Sequence, residues 1–294
     1  MRYWVLSAFV LVLAAVSLGA TAQAAGPQQA AVVDPVADAE HPAQLQLVRY
    51  PSSGSEVPAR FFITAGQGPH PTVLLMHGLP GAELNLDLAR AMQRAGWNVL
   101  AIHYRGVWGA PGQFLLSHTI EDARAALAWL RDPAQAALVD AGKIVVLGHS
   151  MGGFDTVMMG EDTEVVGYVT ISAWDVMNDA ATVTTPEAHR ATEAALAETL
   201  SFTNMTYAAL SADIAAHGQA WNWEANAAKM AGRPVLVIDS NDGAAPRGDA
   251  IVAAVLSAGG PAPTRLKFET DHAYNDHRLA LASAVVNWLQ NQFP

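Results

Sequence analysis

The chain has no cysteine in 294 residues. Disulfides, thiolate nucleophiles and cysteine-based metal sites are therefore excluded together. Positive charge is scarce: 16 Lys and Arg stand against 27 Asp and Glu, a formal net charge of −11. An acidic surface repels phosphate backbones and anionic lipid, and no Lys/Arg cluster relieves it, so nucleic acid is not an expected partner. Long apolar runs are missing too. Val5 to Leu18 is shorter than the roughly 20 residues of a spanning helix. It follows Arg2 and precedes Ala20-Thr21-Ala22-Gln23-Ala24-Ala25, whose small residues suit cleavage after Ala22-Gln23-Ala24. Charge, length and cleavage chemistry predict a secretory signal peptide over residues 1–24 and an exported chain, periplasmic or secreted. With no cysteine behind the run, a lipidated anchor is excluded, and no stable membrane anchor is expected after cleavage.

Apolar residues are abundant, at 51%, enough for one large core with an insertion. Residues 25–42, rich in Ala, Gln and Pro, read as a flexible lead-in to a domain over 43–294. Leu45–Tyr50 and Val57–Thr64, separated by Pro51-Ser52-Ser53-Gly54, predict an N-terminal hairpin. Short apolar runs then predict buried strands at Val73–Met76, Asn98–His103, Lys143–Leu147, Val165–Ile171, Pro234–Ile238 and Thr264–Phe268. Helical spacing fills the intervals: Leu84–Ala95, Thr119–Arg131, Ser150–Met159, Arg247–Ser257 and Ala273–Gln290. Such alternation predicts an α/β fold, a mostly parallel central sheet with helices on both faces. One interval breaks the rhythm. About 60 residues separate Ile171 from Pro234, far beyond an ordinary connection. With helical patterns at Ala181–Leu200 and Tyr207–Ala216, residues 173–232 read as a helical cap insertion.

Gly148-His149-Ser150-Met151-Gly152 follows a buried strand and opens a helix. A serine on so sharp a turn has a strained backbone, needs minimal neighbours two positions away, and exposes its Oγ above the sheet. Ser150 is the candidate nucleophile. Its tetrahedral intermediate needs preorganised N–H donors. The backbone of Met151, next in sequence, is one candidate. That of Leu79, in His77-Gly78-Leu79-Pro80-Gly81 after the first buried strand, is the other. Pro80 has no N–H to give, and His77 reads as a brace for the loop rather than a base.

A serine needs a base, and the base an orienting carboxylate. Behind a G-x-S-x-G turn between strand and helix the order is serine, acid, histidine, each at a strand end. Asp239 and Asp242 compete for the acid. Asp239 is still at the strand end, where it reads as structural, and Asp242, out in the loop, is preferred. His272 and His277 compete for the base, and His272, just past the last strand, is preferred. His149 is expected to pack beside the site. A metal site from Asp271, His272, Asp276 and His277 lacks a convincing ligand pattern. No cofactor or metal is required by the chemistry.

From about Thr72 to the C-terminus, outside the insertion, the sequence resembles the α/β-hydrolase superfamily. His103-Tyr104-Arg105-Gly106 with Trp108-Gly109-x-Pro111-Gly112, Glu121-Asp122, and Asp271-His272-x-Tyr274-x-Asp276-x-Arg278 resemble dienelactone-hydrolase-like and prolyl-oligopeptidase-like members. The resemblance implies the α/β-hydrolase fold, a triad of Ser150, Asp242 and His272, and oxyanion donors at Leu79 and Met151. It departs in two respects: dienelactone hydrolases proper carry a cysteine nucleophile, and the oligopeptidases carry an N-terminal propeller. The expected activity is hydrolysis of a carboxylic ester on a small-molecule acyl substrate, with a peptidase or amidase as the alternative. A silent binding module is opposed by the intact motif. Trp174, Trp221 and Trp223 line an acyl pocket or fill the core of the cap.

Overall fold

The computed structural model describes residues 32–35 and 37–294. The expected signal peptide and most of the lead-in lie outside them. Among the described residues no helix is long and apolar enough to cross a membrane.

An antiparallel hairpin, β1 (Gln44–Ser52) and β2 (Ser55–Ile63), opens the fold and pairs through β2 with β4 (Asn98–Ile102). From there the sheet is parallel, through β3 (His70–Met76), β5 (Val139–His149), β6 (Val165–Ile171), β7 (Val235–Asp239) and β8 (Thr264–Lys267). The eight strands run in the order β1-β2-β4-β3-β5-β6-β7-β8. Side chains of a strand alternate between faces, and the inner strands are apolar on both. Leu74, Met76, Ile144, Val146, Val235 and Val237 enter one core, and Val73, Leu75, Val145, Leu147, Leu236 and Ile238 the other. The first core is covered by α2 (Leu116–Leu130), α3 (Met151–Met158) and α8 (Ala245–Ser257), the second by α1 (Leu86–Arg94) and α9 (Arg278–Gln292).

Between β6 and β7 the chain forms four helices: α4 (Val176–Ala180), α5 (Pro186–Ser201), α6 (Tyr207–His217) and α7 (Trp223–Ala228). The expected helix at Ala181–Leu200 is corrected at its start. Thr185 caps α5 by accepting from the Ala188 N–H, and Pro186 sits in its first turn, where a missing N–H costs nothing. α4 and α7 have too few residues to show a period. The helix expected from Ala273 begins instead at Arg278. Residues 271–277 form a loop in which Tyr274 is buried at φ 58°, a left-handed backbone that no helix contains.

The loop after β4 is held by a buried cation. Arg105 Nε donates to Asp122 Oδ1 at 2.6 Å, its backbone N–H to Oδ2 at 2.9 Å, and Nη2 to Glu121 at 2.7 Å. Ser52 closes the group with a hydroxyl bond to Asp122 at 2.5 Å. The Glu121-Asp122 pair, in the second turn of α2 rather than at its start, thus anchors the His103–Gly112 loop.

Candidate active site

Parallel strands bring their C-terminal ends to one edge, the usual location of sites in such sheets. Ser150 follows β5 there with φ 57° and ψ −114°, outside the regions an ordinary side chain favours. Its N–H donates to Ile171 at the end of β6, and its carbonyl accepts from Trp174 N–H at 2.9 Å and Phe154 N–H at 3.1 Å. Close approach demands the flanking glycines. A Cβ at Gly148 would lie 1.8 Å from the Gly152 carbonyl oxygen, and one at Gly152 2.2 Å from that of Met76 in β3.

Asp242 and His272, 30 residues apart, come together from the loops after β7 and β8: His272 Nδ1 lies 2.5 Å from Asp242 Oδ2. Burial pushes the Asp242 carboxyl up. Hydrogen bonds from His272, the Ala244 N–H and Ser240 outweigh it and hold the carboxyl well below the usual range. Asp239 is engaged elsewhere, buried at the end of β7 with Arg265 Nη2 at 2.6 Å. His277 also faces away, its Nδ1 2.8 Å from Asp276. Asp276 takes the Thr270 hydroxyl as well, and Asp271 binds Asn275. The four residues weighed as a metal site therefore have separate partners.

Ser150 and His272 border the same cleft of about 160 Å³ with Gly78, Leu79 and Glu83. The loop after β3 presses on the serine: a Cβ at Gly78 would stand 2.9 Å from Ser150 Cβ. His77 is buried, and its Nδ1–H donates to the Gly78 carbonyl at 2.7 Å. Burial lowers it to about 4, so it braces the loop as a neutral ring. Met151 is the first residue of α3, a position whose N–H has no carbonyl partner within the helix.

Further residues support the site, and His149, expected to pack beside it, does so. His149 is buried against His272, ring centroids 4.8 Å apart, and its Nε2–H donates to the His272 carbonyl at 2.8 Å. Burial and the neighbouring His272 drive it to about 3. Arg278 spans from Asp87 (Nε to Oδ2, 2.8 Å) to the Ala273 carbonyl (2.9 Å) and Asn85 Oδ1 (3.0 Å), fixing the His272 loop to the head of α1. Tyr274, Ser172 and Ser240 form a buried hydroxyl chain with links of 3.0 and 3.1 Å, ending beside Asp242. Arg278 and Tyr274 were legible as part of a motif. Asn85 and Ser172 had no signal.

Trp221 and Trp223 are core residues, Trp221 edge-on to Phe154 with centroids 5.3 Å apart. Trp174 instead borders a cavity of about 190 Å³ between α4, α5 and α6, with Val176, Leu196, Leu210 and Ile214 among its walls.

Comparison with known proteins agrees with this architecture. The esterase Est22 superposes with a TM-score of 0.64 at 16% identity, covering 84% of this chain and 81% of that one. The thermophilic carboxylesterase EstE1, from a metagenomic library, gives 0.61 at 21%, covering 91% and 93%. Pyrococcus horikoshii acylaminoacyl peptidase gives 0.62 at 13%, covering 85% of this chain and 42% of that one. In sequence, acylamino-acid-releasing enzyme 2 of Oryza sativa subsp. japonica is 30% identical over 118 residues, 36% of this chain and only 15% of the rice enzyme. The model of the alpha/beta hydrolase family matches residues 73–288. With that match running from within β3 into α9, well over half of the chain, the chain belongs to the alpha/beta hydrolase family.

Proposed function

We propose that the protein is an exported serine hydrolase that cleaves a carboxylic ester of a small or medium-sized substrate. The observation that carries this reading is the Asp242–His272 pair at 2.5 Å, opening on the same cleft as a strained Ser150. In the proposed mechanism His272 takes the Ser150 proton as Oγ attacks the acyl carbon. The N–H groups of Leu79 and Met151 hold the oxyanion. Asp242 keeps the imidazole in the right tautomer and steadies its charge. His272 then protonates the leaving group, and water cleaves the acyl-enzyme by the reverse path.

The cap cavity supports a size limit for the acyl group. Its border, Trp174, hydrogen-bonds through its backbone to Ser150. A dry cavity of about 150 Å³ accepts benzene, so about 190 Å³ here suits one ring or a short alkyl chain. A peptidase or acylamino-acid hydrolase is the second reading, favoured by the local likeness to the rice enzyme.

Labelling of the purified protein with a fluorophosphonate tests the proposal. Wild type is expected to label and Ser150→Ala not to, with ester turnover falling roughly 10⁴- to 10⁶-fold. Equal labelling of the two would overturn it. p-Nitrophenyl esters of increasing length, run against aminoacyl-anilides, separate the two readings: faster turnover of esters with a maximum at short to medium chains is expected.

A further inference from the structure

Most arginines of this acidic chain face carboxylates, among them Arg105, Arg131, Arg247, Arg265 and Arg278. Arg90 meets Gln93 and the Phe62 ring instead, Arg233 meets backbone carbonyls, and Arg49 and Arg60 likewise have no carboxylate. Arg49 donates to the Glu56 carbonyl at 3.2 Å, and Arg60 to His103 Nε2 at 2.7 Å. Neither has a carboxylate partner among the described residues. A histidine that accepts at Nε2 carries its hydrogen on Nδ1 and is neutral, so His103 leaves the Arg60 charge uncancelled.

The hairpin register puts these two cations side by side. Leu47 pairs with Arg60 and Arg49 with Pro58. Alternation then sets Leu47, Arg49, Pro58 and Arg60 on the outer face, while Tyr50, Val57 and Ala59 enter the core. Together with His103, Val107 and Trp108, this face encloses a cavity of about 220 Å³. Its apolar walls are open to solvent at two points, Leu47 at 82% and Trp108 at 51% exposure. Trp108 also touches the loop that walls the neighbouring cleft. Its Nε1–H donates to the Pro80 carbonyl at 2.8 Å, in the loop that borders Ser150. One indole thus stands between the two hollows.

We propose that this cavity is a binding subsite for an amphipathic carboxylate, the anion on Arg60 and Arg49 and the hydrocarbon body against Leu47, Val107 and Trp108. A guanidinium fork matches the two carboxylate oxygens in its own plane. A half-buried arginine without a counter-ion is stabilised by acquiring one, and exposed apolar walls around it by being covered. Bare inorganic anions would leave those walls wet, which makes an acid on an apolar scaffold the better match.

The test is calorimetric titration of the full chain with 4-phenylbutyrate and with 4-phenylbutyramide, its neutral isostere. The acid is expected to bind at least tenfold more tightly than the amide. Arg60→Gln should remove that preference. Leu47→Glu, at an exposed position, should abolish acid binding by placing a like charge on the rim without touching the core. Ser150→Ala should bind the acid as wild type does. Equal binding of acid and amide, undiminished binding by Leu47→Glu, or loss of binding in Ser150→Ala would overturn the proposal. Fluorophosphonate labelling of Arg60→Gln at the wild-type rate reports an intact fold and keeps this outcome separate from that of the hydrolase reading. Kinetics then identify the source of the carboxylate. A lower KM for the mono-p-nitrophenyl ester of suberic acid than for p-nitrophenyl octanoate, lost in Arg60→Gln, places it on the far end of the substrate. Equal KM values with binding intact place it on a separate ligand.

Discussion

His149 and Asp155 are buried titratable groups at the catalytic edge, and they act in different ways. His149 is neutral and gives its one N–H to the carbonyl of His272. Its removal leaves Asp242–His272 intact but frees the backbone that carries the imidazole. His149→Leu is expected to lower kcat about tenfold, some 1.4 kcal/mol of barrier, with KM for a short p-nitrophenyl ester unchanged. A purely structural role would show as a melting shift at constant kcat. Asp155, in α3 beneath the serine, is pushed by burial to about 7, against the pull of the Thr119 and Tyr104 hydroxyls. Thr119 Oγ1 lies 2.8 Å from the Leu116 carbonyl and 2.7 Å from Asp155 Oδ1. Thr119 donates to Asp155 Oδ1 while that carboxyl is ionised; once Asp155 is protonated, the single Thr119 hydrogen can turn to the Leu116 carbonyl and leave the hydroxyl oxygen to accept. A carboxyl raised on folding stabilises below its unfolded pKa and loses that contribution as pH climbs through the folded one. Wild-type stability should therefore fall between about pH 4 and 8 by on the order of a few kcal/mol from this group. Asp155→Asn, which keeps a donor for Thr119, should flatten that fall. Denaturant melts at pH 5.5 and 8 measure it, and parallel curves for the two proteins would count against the assignment.

Among elements, the turn from β5 into α3 tolerates no enlargement, whereas the cap helices do. A methyl at Gly152 would overlap the Met76 carbonyl oxygen at 2.2 Å, backbone against backbone with nothing to rotate away. Gly152→Ala is expected to cost more than 3 kcal/mol, seen as a lower urea midpoint or insoluble expression. The cap differs in kind. α5 buries only Leu200, and the cavity it shares with α4 and α6 is walled mainly by apolar side chains. Ile214→Trp should fill that space, keep acetyl-ester turnover within about twofold, and lower kcat/KM for hexanoyl and longer esters at least tenfold. A uniform loss across the series would place acyl groups elsewhere.

At the scale of the whole molecule, the site is a junction of distant segments. Arg278 reaches Asp87 across 191 positions of sequence and holds the His272 loop through the Ala273 carbonyl. Arg278→Gln is expected to lower stability by about 1–3 kcal/mol and to slow fluorophosphonate labelling more than it weakens ester binding. Stopped-flow labelling beside equilibrium melts separates the two effects.

The alternation of buried runs with helical spacing was enough to predict the parallel sheet, because period and burial are local properties of the chain. The turn at Ser150 was legible for a similar reason: a strand, two small flanking residues and a helix lie within one short stretch. The helix start at Arg278 was not, because Tyr274 takes a left-handed backbone to reach Ser172, a contact spanning 102 positions. Nor did any periodicity separate Asp242 from Asp239. Only position told them apart, Asp239 ending the strand and Asp242 lying three residues on in the loop, and Arg265 and His272, which claim one each, arrive from β8 and the loop beyond it. Composition also set the net charge of −11, but not which cations stand unpaired. That Arg49 and Arg60 share one hollow follows from the hairpin register. Local patterning specifies elements and short turns, whereas pairings across the sheet depend on long-range packing that no short window of sequence contains.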